Sequence, residues 1–250
     1  MRGWLLVVAL GGCDRVLGLG DIKPVTGAGS TATLVQMVPA AAPAPSTAVS
    51  LVLGQPPAAH DLLVLAVATW HNTLDSVVDS AGNMYLRTPV DPVTSGGHSS
   101  LWILYASDVA TTAPFSIQIT TTPDPVVPTE TEVSAAVHEY TGVAGAIPFD
   151  GVATATGAGT GDPVHEACGS AMLTGDREIE FAALTHDFTG TTAAGADFTL
   201  RAVATEDSEC CVALVTEDNL RTLAPSASFT TSVLAGSDLA WACALVTFPY

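Results

Sequence analysis

Between Thr31 and Tyr250 the chain is cut every few residues by turn chemistry, and no segment sustains a helical period. Leu62–Trp70 (LLVLAVATW) is a continuous apolar run of strand length, fitting a strand buried on both faces. Phe115–Thr121 (FSIQITT) alternates with period two, as a half-buried strand does. Asp79-Ser80-Ala81-Gly82-Asn83 and Ser95-Gly96-Gly97 are turn clusters, and Pro123–Pro128 (PDPVVP) forbids regular pairing. Strand signals recur at Thr31–Val38, Val49–Leu53, Met84–Val90, His98–Ala106, Glu132–Tyr140 and Phe149–Thr156. They continue at Glu178–Thr185, Phe198–Val203, Cys210–Thr216, Ser226–Val233 and Leu239–Phe248. About a dozen short strands with such turns predict an all-β fold, a single antiparallel, jelly-roll-like β-sandwich. No repeat of about 20–50 residues is visible, which disfavours a propeller or solenoid. The alanine-rich stretch Ala135–Ala144 is the one helical competitor, and it fits a strand at least as well. Residues 39–46 (PAAAPAPS) read as a Pro-rich loop, and Gly157–Asp162 (GAGTGD) as a flexible one.

Charge narrows the partners. The 250 residues carry 25 acidic and 7 basic side chains, a formal charge of −18, with Lys23 the single lysine. No basic stripe exists to neutralise phosphates, so nucleic acid is not a partner, and a polybasic membrane anchor is equally excluded. With 48% apolar and 13% charged residues, the chain has the composition of a folded domain.

The N-terminus predicts an address. Met1-Arg2-Gly3 is a positive start, Trp4–Leu10 a short apolar core, and Leu10-Gly11-Gly12-Cys13 places small residues before a cysteine. The apolar run is too short to span a bilayer. The Leu-Gly-Gly-Cys order resembles the lipobox of bacterial lipoproteins, which implies cleavage before Cys13 and acylation of its thiol. The resulting expectation is a signal peptide at 1–12, a tether at 13–30 and a β-sandwich at 31–250. The protein is expected at the bacterial envelope, lipid-anchored, on a periplasmic or cell-surface face.

Three phrases carry a second resemblance: Asp79-Ser80-Ala81-Gly82-Asn83-Met84-Tyr85, Leu101-Trp102-Ile103-Leu104-Tyr105-Ala106 and His138-Glu139-Tyr140-Thr141-Gly142. Their order is similar to that in a group of exported bacterial β-sandwich domains with D-S-A-G-N-x-Y, W-Y-A and E-Y-S-G phrases. The resemblance implies a fold and a location, but no reaction.

The remaining cysteines, Cys168, Cys210, Cys211 and Cys243, are disulfide candidates in an exported chain, in three connectivities. Cys210 and Cys211 are adjacent on a strand signal and face opposite sides, so they are not expected to pair with each other.

The sequence contains no Gly-x-Ser-x-Gly, no His-Glu-x-x-His and no phosphate-binding Gly-x₄-Gly-Lys. His60, His71, His98, His138, His165 and His186 are dispersed, and His138 and Glu139 point to opposite faces of their strand. No catalytic residue, metal ligand or cofactor is therefore assigned. Calcium is the one weak alternative, through Glu206-Asp207-Ser208-Glu209, Glu217-Asp218-Asn219 and Asp91, Asp124, Glu130 and Asp150. A solvated acidic surface accounts for these better. Trp70, Trp102 and Trp241 lie within apolar strands and read as core.

The leading expectation is a non-enzymatic binding or adhesion module, with a glycan or other surface ligand as partner. A hydrolase of envelope polymers and a purely structural surface protein are the alternatives. Recognition is expected in the loops Ser95–His98, Thr122–Glu130 and Gly157–His165 at one end of the sandwich.

Overall fold

The computed structural model describes residues 31–89, 92–96, 98–143, 149–173, 175, 177–187, 191–205, 212–220, 226–232 and 238–250. Residues 31–250 form one compact unit. Among the described residues there is no helix; every regular element is a β-strand, and all pairings are antiparallel.

The strands divide into two lobes. Lobe 1 contains β1 (Thr33–Ala42), β2 (Ala48–Val52), β3 (Leu62–Trp70), β4 (Asn72–Asp79), β5 (Leu86–Arg87), β6 (Val93–Ser95), β7 (Ser99–Ala106), β8 (Ser116–Pro123) and β9 (Glu132–Thr141). Lobe 2 contains β10 (Gly151–Thr160), β11 (Val164–Ser170), β12 (Glu178–His186), β13 (Thr191–Ala194), β14 (Thr199–Ala204), β15 (Ala213–Asn219), β16 (Ser226–Ser232) and β17 (Asp238–Pro249). Each lobe has an inner and an outer sheet. The inner sheets run β1-β9-β3-β7-β5, with β6 also on β7, and β10-β17-β12-β15-β14; the outer sheets run β2-β8-β4 and β11-β16-β13.

These orders coincide strand for strand. The first strand of each lobe pairs with its last, the last with the third, and the second, fourth and penultimate form the outer sheet. This is jelly-roll connectivity, and the chain makes it twice. The duplication spans about half the domain and is written in topology rather than in a short sequence period.

The two inner sheets pack on each other, giving four layers with three cores. Leu63, Leu65 and Val67 of β3 enter the lobe 1 interior, whereas Leu62, Val64, Ala66 and Ala68 enter the core between the lobes. On β17, Trp241, Cys243 and Leu245 enter the lobe 2 interior, while Ala242, Ala244, Val246 and Phe248 face lobe 1. A strand covered on both faces favours apolar residues on both, which explains the continuous run at Leu62–Trp70. The outer strands β2, β8, β11 and β16 alternate buried and exposed residues.

Two loop expectations are corrected. Pro39 to Ala42 belong to β1, where Pro39 is tolerated because β1 is an edge strand. Gly157–Thr160 is the end of β10, not a loop. A Cβ at Gly157 would lie 2.5 Å from Cζ2 of Trp241, so glycine lets the indole lie against the backbone.

The Asp79–Tyr85 phrase is structural. Asp79 accepts hydrogen bonds from the amides of Ala81 (2.9 Å) and Asn83 (3.0 Å), from Asn83 Nδ2 (2.9 Å) and from the Tyr85 hydroxyl (3.0 Å). Gly82, at φ 78°, supplies the left-handed turn.

Candidate functional site

A cleft of about 420 Å³ opens at one end of lobe 1, lined by His71, Asn72, Thr73, His98, Ser100, Thr122, Pro123, Asp124 and Pro125. Its walls come from the β3–β4 corner, the entry to β7 and the exit of β8. Main-chain bonds fix them together: His71 N donates to His98 O (3.1 Å), and Asp124 N to His71 O (2.7 Å). His71 sits at φ 53°, an uncommon conformation for a non-glycine residue, and this turns its ring beside the neighbouring rings. The His71 and His98 ring centroids are 4.6 Å apart, and Trp70 lies 4.9 Å from His71 and 5.2 Å from His98. The Asp124 carboxylate caps its own turn by accepting from Val126 N (2.8 Å).

Lobe 2 buttresses this end. Asp187, directly after β12, accepts from Ser99 Oγ at 2.5 Å, and Ser99 and Ser95 share a hydrogen bond. The main chain of Asp187 is held by Ala240 O (3.2 Å). Burial raises the Asp187 carboxyl above its ordinary range, opposed by the Ser99 hydrogen bond and by the field of His98 and His71. The site is therefore a ring platform with hydroxyl and carboxylate groups, able to stack an apolar face and hydrogen-bond a polar edge.

Of the three loops expected at one end, Ser95–His98 and Thr122–Glu130 contribute to this cleft. The third is reduced to residues 161–163 between β10 and β11, and it supplies no lining residue. Asp187 was not singled out by the sequence, and His71 was weighed there only as one of six dispersed histidines. The usable signal was a polar residue directly after each lobe's third strand, Trp70-His71 and His186-Asp187.

The other singled-out residues lie elsewhere. His138 is completely buried between the lobes, with Nε2 3.0 Å from Thr216 Oγ1. Burial, reinforced by Arg201, lowers its pKa to about 3, so it is neutral. Beside it, the Tyr140 hydroxyl donates to Asp218 (2.8 Å), and Arg201 Nε donates to the same carboxylate (2.7 Å). Glu139 points the other way, into lobe 1, as expected of strand neighbours. Trp102 and Trp241 are buried; Trp70 is partly buried and borders the cleft.

Of the acidic residues weighed as a solvated surface or calcium ligands, Glu130 is exposed, whereas the Glu217–Asn219 group needs correction. Glu217, Asp218 and Asn219 are buried on β15. Glu217 accepts from Gly195 N at 2.9 Å, and Asp218 is held as above. Among the described residues, no three His, Cys, Asp or Glu side chains are grouped to hold a metal ion. Cys168 on β11 and Cys243 on β17 form a disulfide inside lobe 2, with Cα atoms 4.8 Å apart. Cys13, Cys210, Cys211, Asp91 and Glu206–Glu209 lie outside the described residues.

The chain matches no protein-family model and no curated protein.

Proposed function

We propose that this protein is a non-enzymatic binding module, held at a bacterial envelope through acylated Cys13, that takes a neutral glycan in the lobe 1 cleft. The observation that carries this reading is the convergence of His71, His98 and Asp124 on one cleft, with Trp70 packed against both imidazoles. A partly exposed ring cluster offers a stacking face, and adjacent carboxylate and imidazole groups offer hydrogen bonds to sugar hydroxyls. The formal charge of −18 repels anionic polymers. The hydrolase alternative has less support: Ser99 is buried and its hydroxyl is committed to Asp187, so it presents no nucleophile to the cleft.

The test pairs a glycan array, with and without calcium, with a panel of glycosidase and esterase substrates. The expected result is binding without turnover, weakened at least about tenfold by His98→Ala or Asp124→Ala, a loss of about 1.4 kcal/mol. Reproducible turnover that His98→Ala abolishes would establish the hydrolase instead. Silence in both assays would favour a purely structural surface protein.

A further inference from the structure

A second cavity, of about 580 Å³, lies at the far end of β9 from the cleft. Trp70, beside the cleft, pairs with Glu132 at the start of β9, whereas Thr33 in the cavity wall pairs with Thr141 at its end. Both lobes line this cavity. Lobe 1 supplies residues 31–34, and lobe 2 supplies Asp197, Thr199 and Arg201 around β14 and Leu220 just after β15.

The His138–Gly142 phrase builds one side of it. Gly142 stands at φ 84°, and a Cβ there would lie 2.8 Å from Thr31 O, so glycine lets the chain at Thr31 pass against it. Tyr140 donates to Asp218 Oδ2 (2.8 Å), and Arg201 Nε donates to Asp218 Oδ1 (2.7 Å). Asp218 is fully buried, while the Arg201 side chain is 25% exposed and borders the cavity. The guanidinium is thus held through one nitrogen. Among the described residues, no hydrogen bond reaches its two Nη groups. Such a planar fork matches the two oxygens of a carboxylate.

Asp218 offsets the charge of Arg201, so the fork draws a carboxylate by hydrogen-bond geometry. Asp197, exposed in the turn before β14, brings a carboxylate of its own to the cavity, and an ammonium group answers it. Leu34 and Leu220 are partly buried and add an apolar wall. A chain of formal charge −18 repels a simple anion, but not a ligand whose own charges cancel.

We propose that the cavity between the lobes binds a free α-amino acid with an apolar side chain. Its carboxylate meets the Nη groups of Arg201, its ammonium group meets Asp197, and its side chain lies against Leu34 and Leu220. The volume lies within the range of small-molecule sites. This site is separate from the lobe 1 cleft and does not depend on what occupies that cleft.

Isothermal titration calorimetry on the intact protein tests it, with L-leucine as the probe. Two analogues each lack one charge: 4-methylpentanoate has no ammonium group, and 3-methylbutylamine has no carboxylate. Saturable binding of L-leucine is expected, with the amine at least about tenfold weaker and the acid at least about threefold weaker. Asp197→Asn suits the left-handed backbone at this position, φ 69°, and should weaken L-leucine by about threefold while leaving 4-methylpentanoate no weaker. Arg201→Lys keeps a cation beside Asp218 but removes the fork, and should weaken both carboxylates. Should that variant not fold, Asp197→Asn still decides. Amide shift changes should fall on residues 31–34 and 199–201. No saturable binding of L-leucine, an analogue that binds as tightly, an Asp197→Asn protein with wild-type affinity for L-leucine, or shift changes centred on His71 and His98 would each overturn the proposal.

Discussion

Lobe 1 and lobe 2 share a strand order but fill it differently. The lobe 1 interior is large and apolar: Leu51, Leu63, Leu65, Trp102, Phe115, Ile117 and Ile119 meet between its sheets. The lobe 2 interior mixes large groups, among them Phe198, Phe229 and Trp241, with small ones, Ala171, Ala182, Ala227, Cys168 and Cys243. It also encloses a polar chain, in which Thr231 Oγ1 donates to Glu166 (3.0 Å) and lies 3.1 Å from Thr192 Oγ1, itself 3.4 Å from His186 Nε2. A jelly roll thus tolerates two solutions. Dispersion and apolar burial close one lobe, whereas the other adds a disulfide and a hydrogen-bonded polar chain to its packing. The cleft belongs to the apolar lobe, which suits a site needing a rigid frame.

The sharpest way to break this contrast is to remove bulk from lobe 1. Phe115 is 1% exposed. Phe115→Ala is expected to destabilise by about 3–5 kcal/mol, through lost burial plus the cavity left behind. Denaturant unfolding checks it, and a loss below about 1 kcal/mol would show that lobe 1 does not rely on its packing.

The complementary test removes the covalent link of lobe 2. Cys168→Ala combined with Cys243→Ala should lower stability by about 2–4 kcal/mol, because the bond closes a span of 75 residues in the unfolded chain. Thiol counting under denaturing, non-reducing conditions confirms the bond first. An unchanged unfolding midpoint in the double variant would mean that lobe 2 is held by packing alone.

A smaller effect distinguishes the polar interior. Burial pushes Glu166 up to about 7 and Glu217 up to about 8. Folded-state pKa values above the unfolded ones mean that the folded state holds these protons more tightly. Their stabilising contribution is full below the ordinary glutamate range and is lost as pH rises through about 7 to about 8. Melting temperature should therefore decline across that window, and Glu166→Gln with Glu217→Gln should flatten the decline. A wild-type profile that rises there would contradict the assignment.

Much of this architecture was legible in the sequence because strand period and turn residues are local. Leu62–Trp70 announced a strand covered on both faces, and Asp79–Asn83 announced a turn. The duplication was not legible, since Leu62–Trp70 and Glu178–His186 share a role but few residues. Alternation along Glu178–Phe181 separated two faces correctly, yet it carried no sign that another sheet covers the glutamate face. Gly157–Thr160 read as loop because glycine and threonine do not reveal that Trp241 and Val164 lie against them. For the cleft, two loops were visible as long and polar. Their meeting with His71, and the approach of Asp187 from lobe 2, depend on how the inner sheets stack.

The central claim is that lobe 1 carries recognition while lobe 2 supports it. Titrating isotope-labelled protein with the strongest neutral glycan from the array tests this most directly, by mapping amide chemical-shift changes. The account predicts saturable changes at His71, His98 and Thr122–Asp124, with none on β11, β13 or β16, and their disappearance in His71→Ala combined with His98→Ala. Changes centred on the outer sheet of lobe 2, or saturable binding that survives in that double variant, would contradict it.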